Sequence, residues 1–423
     1  MSNLILATVI FILTYVIIVT EKIHRTIITL VGAALLLLLK ILEQHEAIES
    51  IDFNTIGLLV GMMIVVGVLQ QTGFFGYVAI KQAKAVQGDP WKIMLVFSII
   101  TGLGSAFLDN VTTVLLIVPV TLAITKTLQL PPIPFIITEI LMSNIGGTAT
   151  LIGDPPNIMI GSAENLGFLD FIVNLAPVVI VIAIVTIYLI KFVYGKDFSL
   201  QEALKEKLMS MDEMAELRDW KLAKKCLLVL GLIILGFILH QPLHLESATV
   251  ALAGAALLLL ISGVSVETAL DGVEWTVIFF FIALFILVGG LEKVGLIKLM
   301  AQFALEVTGG NIAVLAMVVL WGAGISSAFL DNIPLVATAI PLLQAMQAQL
   351  SHLNFMPVWW ALALGACLGG NGTLIGASAN VTAVGLAEKE GVYISFLEYL
   401  KLAFPLMLVS LFISAIYLFF RYL

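Results

Sequence analysis

Long unbroken apolar runs alternate with short polar breaks along the whole chain. The runs cover 4–19, 26–42, 55–70, 91–127, 135–160, 171–194, 226–239, 248–262, 277–291, 312–350, 358–386 and 396–420. None alternates with period two, so the pattern predicts membrane helices and not the strands of a barrel. The run 4–19 has no basic residue before it, and Glu21-Lys22 follows where a small-residue cleavage site would stand. It reads as a retained span and not as a signal peptide. Two runs, 91–127 and 312–350, are broken by the same polar motif, Ser-Ala-Phe-Leu-Asp-Asn. Each arm beside the break has about 15 to 18 apolar residues against roughly 20 needed to cross, which predicts re-entrant hairpins. Two full spans are the alternative.

The motif belongs to a wider duplication. Ser105–Asn110 recurs as Ser327–Asn332, Gly32-Ala-Ala-Leu as Gly254-Ala-Ala-Leu, Gly73 as Gly295 and Pro119 as Pro341, all at one spacing. One residue further on, Gly146-Gly-Thr-Ala-Thr-Leu-Ile-Gly matches Gly369-Gly-Asn-Gly-Thr-Leu-Ile-Gly, and Asn157 matches Asn380. The expected fold is all-α and polytopic: two repeats, each of five transmembrane helices plus one re-entrant helical hairpin. An odd number of crossings turns the second copy upside down, so the repeats are inverted. The first repeat is 1–195, with an inner hairpin at 91–127. A cytoplasmic linker is 196–221, and the second repeat is 222–423, with an outer hairpin at 311–350.

Composition adds what the chain is not. Hydrophobic residues make up 61% and charged residues 11%, too apolar for a soluble enzyme, and the net charge of −8 disfavours DNA or RNA. With the N-terminus outside, Lys and Arg collect on the inner loops and leave Lys40, Lys293, Lys298 and Arg421 outside. That orientation puts both termini on the extracytoplasmic face of the cell membrane. A monomer and a homodimer both suit the pattern. Two cysteines, Cys226 and Cys367, make no disulfide framework, and no Cys/His cluster or phosphate-binding loop suggests a metal, a cofactor or an enzyme.

The chemistry is then expected at polar residues inside apolar runs. Hairpin tips supply Ser105, Asn110 and Thr112, mirrored by Ser327 and Asn332. Broken spans at the Gly-Gly motifs supply Asn144, Gly147, Thr148, Thr150 and Asn157, mirrored by Asn371, Thr373 and Asn380. Broken helices in corresponding positions point to a midplane transport site, because they release backbone groups where only a cavity or protein can satisfy them. Four carboxylates stand at comparable depth: Asp109, Asp331, Asp154 and Glu139. The first two sit where an Asp caps a helix, which is their alternative role. The other two face Ala377 and Leu362 in the second half, as expected of residues that carry a proton or cation in one repeat only. The five histidines lie at span ends, which disfavours a histidine relay.

The stretches SAFLDNVTTVLLIVPVT and NIGGTATLIGDPPN resemble the ion-transporter superfamily that holds the arsenite permease (ArsB), the NhaD-type sodium/proton antiporters and the melanosomal P protein. The resemblance implies alternating access by a secondary transporter, with the site between hairpin tips and broken spans. Dicarboxylate carriers are more distant: their tips read Ser-Asn-Thr, where this chain has Asp109-Asn110-Val111 and Asp331-Asn332-Ile333. Two tip carboxylates would repel a dianion. The expectation is therefore arsenite or antimonite efflux, As(III)/Sb(III), in exchange for protons. The resemblance also implies cooperation with a cytoplasmic arsenite-stimulated ATPase. A Na⁺/H⁺ antiporter is the alternative, and an anion carrier of the dicarboxylate or citrate type the more distant one.

Overall fold

A computed structural model describes residues 2–20, 22–195 and 202–423. Part of the expected linker, 196–201, lies outside the described residues. Among the described residues every regular element is a helix. The first half contains α1 (Ser2–Thr20), α2 (Arg25–Leu38), α3 (Gln44–Glu49), α4 (Phe53–Gln71), α5 (Phe74–Ala85), α6 (Pro90–Leu108), α7 (Asn110–Thr127), α8 (Ile133–Gly147), α9 (Pro155–Glu164) and α10 (Phe168–Tyr194). After α11 (Glu202–Met209), the second half follows the same order. It contains α12 (Trp220–Leu239), α13 (Ser247–Ser262), α14 (Val266–Leu270), α15 (Trp275–Lys293), α16 (Leu296–Thr308), α17 (Ile312–Phe329), α18 (Asn332–Gln349), α19 (Met356–Gly369), α20 (Ser378–Lys389) and α21 (Phe396–Tyr422).

Eight of these helices are long and apolar enough to cross a membrane: α4, α6, α7, α10, α12, α15, α17 and α21. Further apolar helices, among them α2, α8 and α13, are shorter. Side chains such as Phe192 and Leu260 are exposed on the outer faces, as apolar groups are where lipid is the solvent.

Both hairpins break where the motif predicts. Arm α6 ends at Leu108 and α7 begins at Asn110, while α17 ends at Phe329 and α18 begins at Asn332. Asp109 caps α7 by accepting the Thr112 amide at 2.8 Å, and Asp331 caps α18 through the Ile333 amide at 3.0 Å. The arms are longer than expected, at 19 and 18 residues in the first hairpin and 18 and 18 in the second. The capping residues extend each helix to the break itself, so arm length alone no longer argues for re-entrance.

Helices α5 and α16 carry too many polar residues to show as apolar runs in the sequence. Each starts at a matched glycine in the left-handed region, Gly73 with φ 74° and Gly295 with φ 83°. The described part of the linker is fastened to the first half. Lys84 Nζ meets Glu213 at 2.5 Å and the Met211 carbonyl at 2.9 Å, and the Arg218 amide donates to Thr72 O at 2.9 Å.

The halves meet through pairs of contacts with exchanged roles. Helix α2 packs on α15 and α13 on α4, while α7 packs on α20 and α18 on α9. Within each half, the first hairpin arm lies against the broken span, α6 on α8 and α17 on α19. Glycines set these crossings: a Cβ on Gly146 would meet Gly102 O at 2.0 Å, and one on Gly369 would meet Gly324 O at 2.4 Å. Backbones that approach so closely gain dispersion contacts that larger side chains would forbid.

Candidate transport site

Duplicated sequence gives duplicated bracing. Ser105 Oγ donates to Ser143 O at 2.5 Å, and Ser327 Oγ donates to Ala366 O at 2.6 Å, tying each hairpin to its broken span. Thr150 Oγ1 donates to Ala106 O and Thr373 Oγ1 to Ala328 O. Behind them, Asn157 Nδ2 donates to Thr150 O at 2.9 Å and Asn380 Nδ2 to Thr373 O at 2.8 Å. These residues satisfy carbonyls that the broken helices release, and an unpaired carbonyl in hydrocarbon costs several kcal/mol. Thr148 donates to Asn144 O within its own helix, at 2.7 Å. Gly147 leaves room for the chain to fold back: a Cβ there would meet Gly153 O at 2.4 Å and Ser105 Oγ at 3.1 Å.

Between the braces lies a cluster of carboxamides. Asn110 Nδ2 donates to Asn144 Oδ1 at 3.0 Å. Asn144 Nδ2 donates to Asn371 Oδ1 at 2.9 Å and Asn380 Oδ1 at 2.8 Å, which joins the two halves. On the other side Asn332 Nδ2 reaches both Asp154 oxygens, at 3.1 and 3.2 Å. The six residues are at most 2% exposed. Asn110 Oδ1 has no hydrogen-bond partner among the described residues, an open acceptor beside the cluster. Asp154 has no cationic partner among the described residues; the Asn332 amide and the Cys367 thiol are the side-chain donors beside it.

The two tips differ. Asp109 stands at φ 93° and ψ 157°, a conformation nearly reserved for glycine that costs about 1–3 kcal/mol, whereas Asp331 has an ordinary φ of −53°. Thr112 Oγ1 is taken up by Asp109 Oδ2 at 2.6 Å, so it serves the cap and not the cluster. Asp331, expected as a coupling carboxylate or a helix cap, has a cationic partner. Arg25 Nη1 donates to Asp331 Oδ2 at 2.5 Å and to Ser378 Oγ at 2.7 Å. In the sequence Arg25 counts among the basic residues of the inner side; its mirror position in α13, Ser247, carries no charge, and that difference is the signal of a second role. Glu139 lies outside the cluster, bonded to Thr121 Oγ1 at 2.5 Å, with its Oε2 unpartnered among the described residues.

Residues 15–365 match the citrate transporter family, CitMHS. The chain belongs to this family. Its relatives in the family's neighbourhood include an uncharacterized transporter of Mycobacterium bovis, 42% identical over 423 residues that cover 99% of this chain and 98% of that one. The 46 kDa membrane protein of Mycobacterium leprae is 40% identical over 426 residues, covering 99% of each. The P protein of Sus scrofa is 34% identical over 496 residues; the match takes in 98% of this chain and 59% of the longer relative. The YdaH transporter of Alcanivorax borkumensis shares the fold, with a TM-score of 0.58 at 15% identity over 88% of this chain and 86% of that one. This citrate-transporter-family protein is therefore a multi-pass secondary transporter. Similarity to the P protein agrees with the expected superfamily, while none of these relatives bears on the narrower likeness to arsenite permeases and NhaD-type antiporters.

Proposed function

We propose that this transporter carries a small citrate-type carboxylate together with protons, taken up at Asp154. One observation carries the reading: a fully buried carboxylate with no cationic partner among the described residues joins the broken span of one half to the hairpin tip of the other. An anion entering such a site meets repulsion until the carboxylate is neutralised, so proton and anion travel together. Asp109, half-buried at the other tip, is a second proton carrier, and Glu139 a reserve one off the pathway. The sequence-based objection to anions assumed two unpaired tip carboxylates; with Asp331 neutralised by Arg25, it loses half its force. The family's description then moves the anion reading ahead of arsenite efflux and Na⁺/H⁺ exchange.

Alternating access follows from 1–195 and 222–423 acting as inverted repeats around the carboxamide cluster. Role-exchanged contacts between the halves support a twofold relation, as in a symmetric dimer. Both polar tips reach the buried cluster through Asn110 and Asn332, which supports re-entrant hairpins despite their long arms.

Proteoliposomes test the reading. Radiolabelled citrate should accumulate against its gradient when the lumen is made alkaline, and Asp154→Asn should remove the effect of the pH gradient while leaving citrate exchange. Accumulation of As(III), or collapse of the pH gradient on adding Na⁺, with citrate excluded in both cases, would overturn it.

A further inference from the structure

Arg25 lies beside an open cavity of about 360 Å³ that Tyr15, His24, Asp331, Pro334 and Ser378 also line. It comes from α2, while Asp331 and Ser378 come from the second hairpin tip and the second broken span. The Arg25 side chain is 25% exposed, and its Cζ lies 4.9 Å from the ring centroid of Phe280. Only Nη1 is engaged: it serves Asp331 Oδ2 and Ser378 Oγ, and Ser378 Oγ also donates to Asp331 Oδ2 at 2.8 Å. Asp331 Oδ1 is spent on the helix cap, so the pair is single-pronged. Nε and Nη2 find no acceptor among the described residues. They form the side edge of the guanidinium fork, the pair of parallel N–H groups that matches the two oxygens of a carboxylate.

The surroundings connect this edge to the site. Asp331 is followed by Asn332, which holds Asp154, so the cavity and the carboxamide cluster share one hairpin tip. Arg25 and Asp154 are also charges that the other half lacks, where Ser247 and Ala377 stand instead. Both converge on the second tip. Ser247 hydrogen-bonds Asn54 and offers no cation at the corresponding place.

We propose that Arg25 is the residue that recognises the anion: its Nε/Nη2 edge takes one carboxylate of the substrate from the cavity while Nη1 keeps Asp331 and Ser378. This rests on the carboxylate reading above. A carboxylate arriving at that edge competes with Asp331 for the same positive charge. Binding therefore weakens the attraction between Arg25 and Asp331 while the Nη1 contacts stay in place.

Citrate uptake by proteoliposomes of the full chain, with KM and maximal rate measured separately, tests this. Arg25→Lys keeps a positive charge for Asp331 but has no fork; losing one charged hydrogen bond should raise KM for citrate about tenfold. Arg25→Gln should raise it further. Asp331→Asn should leave KM unchanged or lower it, because the competitor is gone. Citrate should raise the melting temperature of detergent-solubilised wild type and Asp331→Asn, and not of Arg25→Gln. If Arg25 merely holds the tip, all three variants lower the maximal rate with KM at the wild-type value, and the inference falls. Arg25→Lys decides this even where Arg25→Gln fails to fold. Wild-type protein that neither takes up citrate nor is stabilised by it would instead overturn the carboxylate reading itself.

Discussion

Asn144 makes three side-chain hydrogen bonds to residues from three other elements, and Thr148 makes one to its own helix. That difference sets their weight. Asn144→Ala strands Asn110 Nδ2, Asn371 Oδ1 and Asn380 Oδ1 in the core, at about 1–3 kcal/mol for each group left unpaired. Thr148→Val loses one local bond whose acceptor stays within the helix, about 1 kcal/mol or less. Thermal unfolding in detergent should therefore show a large loss for Asn144→Ala and a small one for Thr148→Val, and equal losses would contradict the division between lining and bracing residues. The sequence made both visible, because any carboxamide or hydroxyl in an apolar run is conspicuous. It did not separate them, since the distinction depends on which residues the tips touch. Arg25 was hidden for a related reason. A basic residue at the start of a span has a ready explanation in membrane orientation, and only its contact with Asp331 shows a second use.

At the scale of elements, the crossings of α6 on α8 and α17 on α19 depend on single glycines. Gly146→Ala and Gly369→Ala force a methyl against a backbone carbonyl that cannot rotate away, which should cost about 1–3 kcal/mol each. Lower detergent melting temperatures for both, with no comparable change for Gly231→Ala in open space, would bear this out. The attachment of the linker to α5 gives a pH dependence. The Lys84 ammonium beside Glu213 holds its carboxyl below the usual carboxylate range. A depressed carboxyl stabilises the folded contact above its unfolded value, about pH 4.3, and the contribution is lost as pH falls through the lower folded value. Proteolysis within the linker should accordingly speed up on acidification below about pH 4, and Lys84→Gln should give fast cleavage already at neutral pH. Helix order, breaks and matched glycines were legible in the sequence because each leaves a periodicity or a repeat. The short helices α5 and α16 were not, because their polar faces interrupt the apolar run that marks a span.

For the whole molecule, orientation is the property most open to direct measurement. Cys226 and Cys367 are buried, so the wild-type chain should react slowly with a membrane-impermeant thiol reagent. Single cysteines at Lys40 and Lys298 should label from outside, and those at Lys81 and Lys389 only after permeabilisation. Labelling of all four from one side would refute opposed repeats. The bond from Asn144 to Asn371 spans 227 positions. At roughly 5–20 residues per second, the ribosome needs about 10 to 45 s to cover that interval. Throughout it the first half sits in the bilayer with its central carboxamide waiting for an acceptor not yet made. Newborn chains are thus most exposed to membrane proteases in that window, and a chain truncated after the linker should be degraded even though all its spans are inserted.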